Sequence, residues 1–144
     1  MPIAQKRAWA MMIASALAYL VYLAILVTNQ QDPVADTAYI APLLWTVGGS
    51  VVATVLAEAA FAATTRREGK AALRTDERDR EIDRFGDHVG QAFVVIGAIA
   101  ALIMAMLQWP YFWIANVIYL AFVLSAVLGS AARLAAYRQS FQPW

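Results

Sequence analysis

Three stretches without a charged residue constrain the fold of this chain most strongly. They cover residues 8–31, 37–57 and 89–132, and the last is 44 residues long. A helix rises about 1.5 Å per residue, so about 20 residues cross a hydrocarbon core of about 30 Å. The longest stretch therefore holds two crossings, separated where Pro110 removes a backbone donor and disfavours helix in the residue before it. The sequence predicts four transmembrane helices, at about 8–28, 38–63, 89–109 and 112–135.

The composition agrees with a chain that lies in lipid. Hydrophobic residues make up 62% of the sequence, and the mean hydropathy is +0.58. A soluble single domain of this size does not carry so much apolar surface. The sequence has no Cys, which excludes disulfides, thiol nucleophiles and thiolate metal sites. We therefore expect a single membrane domain, an all-α four-helix bundle in contact with the lipid bilayer.

The basic residues predict the orientation of the helices. All eleven Lys and Arg residues lie before helix 1, in the loop 66–88 or at the end of helix 4, whereas segments 29–37 and 108–111 contain none. By the positive-inside rule, the loop 66–88 and both termini are predicted to be cytoplasmic. Such a one-sided distribution argues against an antiparallel dimer of dual topology. Any homodimer is expected to be parallel.

The loop 66–88 is the main aqueous part of the predicted topology. It contains seven basic and seven acidic residues, so it lacks the positive excess that binds nucleic acid or anionic lipid. Its charge spacing instead predicts a helix with Thr75 as N-cap and with ion pairs between residues three and four apart. We expect this charged helix to lead directly into helix 3, with Gly86 as the alternative site of a kink. The predicted pairs are Asp76–Arg80, Glu77–Arg80 and Glu81–Arg84.

Two further patterns predict helix contacts. Ile82, Phe85 and Val89 are spaced three and four apart, which gives the charged helix one narrow apolar seam for a partner or a second protomer. Small residues recur at four-residue spacing on helices 2, 3 and 4, and such faces allow close helix packing in lipid. These small-residue faces are Gly49 and Ala53 on helix 2, Gly86, Gly90 and Gly97 on helix 3, and Ser125 and Gly129 on helix 4. The sequence leaves open whether one of them remains for a second protomer.

One group of ionisable residues is a candidate site. Glu58 is the only such residue well inside an apolar run, and Asp87 and His88 open helix 3 from the same side, with Asp83 one turn away. A buried carboxylate near an imidazole suits a proton relay or a cation site. The alternative is that Glu58 pairs with a basic residue, with Arg7 or Arg133 nearby, and fixes helix packing. No metal-ligand spacing, nucleophilic triad, phosphate loop or cofactor motif is present, so we expect no metal and no cofactor.

The charged segment and the last helix also carry a resemblance. The run from Thr75 to Gly90 (TDERDREIDRFGDHVG) leads into an apolar helix, and residues 112–116 (FWIAN) open the next helix. Together they resemble an uncharacterised group of prokaryotic four-span membrane proteins with an Asp-Glu-Arg-Asp cytoplasmic loop. The resemblance covers mainly residues 75–138 and implies a multi-pass protein of a prokaryotic cytoplasmic (inner) membrane. It implies no activity.

From these observations we expect a non-enzymatic membrane interaction or regulatory protein. Its partner would be a second, parallel copy or another membrane or cytoplasmic protein, and no nucleic acid is expected. The alternative from a different class is a small transporter, or an ion- or proton-binding membrane protein, that uses Glu58, Asp83, Asp87 and His88. An intramembrane enzyme ranks third.

Overall fold

The chain folds into four α-helices. A computed structural model describes residues 3–33, 36–68 and 77–139, except for the side chains of residues 3 and 65–68. Each helix is long and apolar enough to cross a membrane. The prediction of an all-α fold with four such helices is therefore confirmed. The helices are α1 (Ile3–Thr28), α2 (Ile40–Glu68), α3 (Glu77–Met106) and α4 (Tyr111–Arg138).

The charged segment and the third apolar stretch form one helix. α3 runs for 30 residues from Glu77 to Met106, and no break occurs at Gly86. At about 1.5 Å per residue it is about 45 Å long, which exceeds the thickness of a hydrocarbon core. Thr75 and Asp76, the predicted cap and its neighbour, lie outside the described residues.

The turn between α3 and α4 explains why α3 ends at Met106 and not near residue 109. Gln108 has a φ of 55°, which is left-handed. Its N–H donates to the carbonyl of Ala105 at 3.0 Å, and the N–H of Trp109 donates to that of Met104 at 3.0 Å. These two bonds form a Schellman motif, which satisfies carbonyls that the helix end would otherwise leave unpaired.

Helix packing follows the order α2, α1, α4, α3, and the α3–α4 contact is the most extensive. Gly86, Gly90, Gly97 and Gly129 are buried in that contact. A Cβ atom added at Gly90 would lie 2.9 Å from Ser125 Oγ, and one at Gly129 would lie 2.9 Å from the carbonyl oxygen of Gly86. The two backbones can approach this closely only because these positions lack side chains.

α2 packs differently. No residue of Ile40–Thr64 is buried, and a Cβ atom added at Gly48 or Gly49 would meet no atom within 4 Å. Ala53 is also exposed. The small-residue face of α2 (Gly49 and Ala53) therefore makes no helix contact among the described residues, because α2 packs mainly on α1 and turns a different face towards it.

Aromatic residues hold α1, α2 and α4 together. Tyr22, Leu26, Phe112 and Tyr119 form a buried cluster, and Leu43 and Val47 of α2 pack against it. The hydroxyl of Tyr22 donates to Asn116 Oδ1 at 2.7 Å, which joins α1 to α4. The hydroxyl of Tyr119 donates to Thr46 Oγ1 at 3.1 Å, which joins α4 to α2.

Candidate functional site

One end of the bundle, named here the charged end, contains a cavity to which every helix contributes a charged residue. The cavity has a volume of about 260 Å³. Its charged lining residues are Arg7 from α1, Glu58 from α2, Asp83 and Asp87 from α3, and Arg133 from α4. We call this space the charged cavity.

Glu58 is paired with Arg7. The Nε of Arg7 donates to Glu58 Oε1 at 2.6 Å, and its Nη2 donates to Oε2. Two parallel bonds of this kind fix the orientation of both side chains. The two side chains are 50% and 37% exposed, respectively, so the protein does not enclose the pair. The contact joins α1 to α2 and matches the packing interpretation of Glu58.

Arg133 is shared between two carboxylates of α3. Its Nη2 donates to Asp87 Oδ1, and its Nε lies 3.4 Å from Asp83 Oδ1. That Nε is buried and makes no hydrogen bond within the described part of the chain. A Cβ atom at Gly86 would lie 2.6 Å from the same Nε. The glycine therefore gives the guanidinium the space it needs to reach α3.

The lining residues give the charged cavity a formal charge of −1, since three carboxylates face two guanidiniums. Asp83 and Asp87 project from the same face of α3 because they are four residues apart. Such an arrangement supplies acceptors for a cation and donors for an anion. Among the described residues, no group of three or more His, Asp or Glu side chains is placed to hold a metal ion.

His88 does not line the charged cavity. Its ring Nδ1 lies 2.7 Å from the carbonyl oxygen of Arg84 on its own helix, and the residue is exposed. The structure thus brings Glu58, Asp83 and Asp87 together and leaves His88 outside.

The three residues of the predicted interaction seam have different environments. Ile82 is fully buried within the protomer. Val89 is partly buried, and Phe85 is 41% exposed. The hydroxyl of Tyr137 donates to Asp79 Oδ1 at 3.0 Å, which also holds the start of α3 against α4. The charged part of α3 is thus packed into the bundle, and Ile82 is not accessible to a partner.

Two further cavities have no counterpart in the sequence analysis. One, of about 330 Å³, lies between α1, α2 and α4, and we call it the middle cavity. The other, of about 350 Å³, lies between α1 and α4 at the opposite end of the bundle. Their linings are mostly apolar side chains from different helices. In the sequence of a membrane protein, such residues look the same as residues that face lipid, so the sequence does not reveal these cavities.

Comparisons with known proteins find no matching family model, no similar curated protein and no similar solved structure. The resemblance to a group of prokaryotic four-span proteins therefore stays a prediction.

Proposed function

We propose that the chain is a non-enzymatic interaction or regulatory protein of a prokaryotic cytoplasmic membrane, and that it associates with a second copy of itself through α2. The observation that carries this proposal is the open small-residue face of α2. No atom lies within 4 Å of a Cβ placed on Gly49, and Ala53 one turn away is exposed. Small-residue faces are where helices approach each other in lipid.

The contrast with α3 and α4 supports the choice of α2. The small residues of α3 and α4 already face each other, so they are not available to a second protomer. The interaction seam is also partly buried within the protomer, because Ile82 is fully buried. The face of α2 is the small-residue face that the described part of the protomer leaves open.

A parallel arrangement fits the charge distribution. With all eleven basic residues on the cytoplasmic side, both protomers insert with the charged end inward. A twofold axis along the membrane normal then places the α2 face of one copy against the same face of the other. The Glu77–His88 part of α3 extends from the same end and offers mixed charge to a further cytoplasmic partner.

Replacement of the small residues tests the proposal. Gly49→Leu should abolish self-association, because a bulky side chain separates the two backbones. Gly48→Leu is the matched control, since it adds the same side chain to an equally open position about 100° around the helix. The chain has no Cys, so an introduced Leu56→Cys reports dimers in bilayers by disulfide crosslinking without background.

Two results would contradict this proposal. One is a Leu56→Cys crosslink that persists at full yield with Gly49→Leu. The other is an equal loss with Gly48→Leu, which would show that bulk anywhere on α2 is enough.

A second candidate function is a small transporter or an ion- or proton-binding membrane protein. The charged cavity favours it, because Glu58, Asp83 and Asp87 converge there with an excess of one negative charge. It ranks second because both oxygens of Glu58 already accept hydrogen bonds from Arg7. Transport requires that Glu58→Gln abolish cation or proton flux into vesicles, whereas a packing role affects stability only.

A further inference from the structure

The charged cavity and the middle cavity lie one after the other along the same helices. Both are lined by α1, α2 and α4. On α1, Met11 lines the charged cavity and Ser15 lines the middle cavity, about 6 Å further along the helix. On α2, Glu58 and Ser50 do the same, about 12 Å apart. The two spaces therefore follow one another along the axes of these helices.

Their chemistry differs sharply. The charged cavity contains two guanidiniums and three carboxylates. The middle cavity, of about 330 Å³, is mainly apolar, and its lining residues are Ser15, Ala18, Val47, Ser50, Val51, Tyr119, Phe122, Val123 and Ala126. A charged end followed by an apolar space matches the layout of a lipid, with its headgroup at the interface and its acyl chain in the hydrocarbon.

We infer that the two cavities together hold one phospholipid whose zwitterionic headgroup carries a phosphate and a primary ammonium. The phosphate lies between Arg7 and Arg133, since guanidinium donors match phosphate oxygens. The ammonium, with three N–H donors, is held by the carboxylates of α3. One acyl chain occupies the middle cavity between Val47, Val51 and Phe122.

Unused polar atoms support this assignment of both headgroup charges. Arg7 uses its Nε and Nη2 for Glu58 and is 50% exposed, so the N–H groups of its Nη1 are left for phosphate. Asp83 is 54% exposed and lies 3.4 Å from Arg133 Nε without a hydrogen bond, so an acceptor is left for ammonium. The headgroup as a whole is neutral, so it gives Asp83 a cationic partner without adding to the formal charge of −1 of the charged cavity.

The charge and the N–H donors of the headgroup discriminate between phospholipids. A phosphatidylglycerol headgroup brings a negative charge and no cation, so it changes the formal charge of the charged cavity from −1 to −2 and gives Asp83 no partner. A phosphatidylcholine headgroup has the right charges, but its quaternary ammonium has no N–H to donate to Asp83 or Asp87. Phosphatidylethanolamine alone among these three satisfies both sets of atoms.

Native mass spectrometry of the full chain in detergent tests the inference. Equal concentrations of dioleoyl phosphatidylethanolamine, phosphatidylcholine and phosphatidylglycerol are added separately, and the dissociation constant of the first bound lipid is measured for each. We expect phosphatidylethanolamine to bind up to about tenfold more tightly, as expected for one or two partly exposed charged contacts. Equal affinity for the three lipids would overturn the inference.

Matched variants localise the site. Asp83→Asn should remove the preference for phosphatidylethanolamine, and Arg133→Gln should weaken the binding of all three lipids, because each of them carries the phosphate. Glu81→Gln and Arg138→Gln, which lie on the same helices but outside the cavity lining, should keep both the preference and the affinity. Helical circular dichroism checks folding. Asp83→Asn serves alone if Arg133→Gln unfolds, because Asp83 is 54% exposed. Loss of the preference in the Glu81 and Arg138 variants as well would contradict the site.

The acyl part has its own control. Ala126→Phe fills the middle cavity and should weaken all three lipids alike, whereas Ala59→Phe, on an exposed position of α2, should not. Unchanged binding with Ala126→Phe would remove the middle cavity from the inference.

The lipid site is independent of self-association, because Gly49 is two residues from both Val47 and Val51 and so lies on about the opposite side of α2. Gly49→Leu should leave lipid preference unchanged.

Discussion

The α3–α4 pair and the α1–α2 pair are built on different contacts. Between α3 and α4, glycines bring the backbones together, and Gly90 is opposite Ser125 so closely that a methyl group would not fit. α2 has glycines too, yet a Cβ at Gly48 or Gly49 would meet nothing within 4 Å. α2 and α3 are thus similar in length and hydropathy, but only α3 packs its glycines against another helix.

Polar and aromatic side chains replace backbone contact where α2 joins the bundle. Thr46 accepts a hydrogen bond from Tyr119 of α4, and Glu58 is bonded to Arg7 of α1. Both partners of the second contact are substantially exposed. Because side chains can change rotamer and backbones in contact cannot, we expect α2 to be held less rigidly than α3 and α4.

The largest effect should come from adding a side chain where the backbones meet. Gly97→Leu forces Leu into the Cβ of Ala121. Overpacking of this kind costs about 1–3 kcal/mol in a well-packed contact, so the free energy of unfolding should fall by at least that amount. Gly48→Leu should change it by less than about 0.5 kcal/mol, as for an open surface position. Unfolding of both variants by titration with sodium dodecyl sulfate measures the difference.

Equal destabilisation by the two variants would contradict the comparison, since it would mean that α2 packs as closely as α3. A stable Gly97→Leu variant would contradict the close α3–α4 contact itself.

Spacing in the sequence predicted much of this arrangement, and helix geometry explains where the prediction of the site was incomplete. Asp83 and Asp87 are four residues apart and share a face of α3, so both reach the charged cavity. His88 follows Asp87 directly and is turned about 100° away, so neighbours in sequence do not share a site on a helix. Glu58 was recognisable because a carboxylate in an apolar run requires a partner.

The sequence alone could not show which small-residue faces are buried within the protomer. Gly49 and Ala53 have the same spacing as Gly86 and Gly90. Which face is buried depends on which helices are neighbours in the bundle. That arrangement is decided by side-chain fit across several helices. The same reason hides the middle cavity, since its lining comes from three helices.

An intermediate loss of stability is expected from the contact between α1 and α4. Tyr22 is fully buried, and Tyr22→Phe removes the hydroxyl that donates to Asn116 Oδ1. The loss should be about 0.6–1 kcal/mol, in the range of hydrogen bonds between membrane helices. Tyr119→Phe should cost less, because Thr46 keeps its own hydrogen bonds to the carbonyls of Pro42 and Leu43. A larger loss for Tyr119→Phe in the same unfolding assay would show that α2 is held more firmly than α1.

The smallest effect should be the coupling between Arg7 and Glu58, which a double-mutant cycle of Arg7→Gln, Glu58→Gln and both together isolates. The two side chains are 50% and 37% exposed and line the charged cavity, where we expect them to be hydrated. Hydrated ion pairs contribute about 0.2–1 kcal/mol. The coupling should also decrease as ionic strength rises from 0.01 to about 0.15 M, because salt screens exposed charges. A coupling of several kcal/mol that is insensitive to salt would contradict the expectation that α2 is held less rigidly than α3 and α4. A near-zero coupling combined with lost cation flux in Glu58→Gln would instead favour transport, because Glu58 would then act on an ion and not on Arg7.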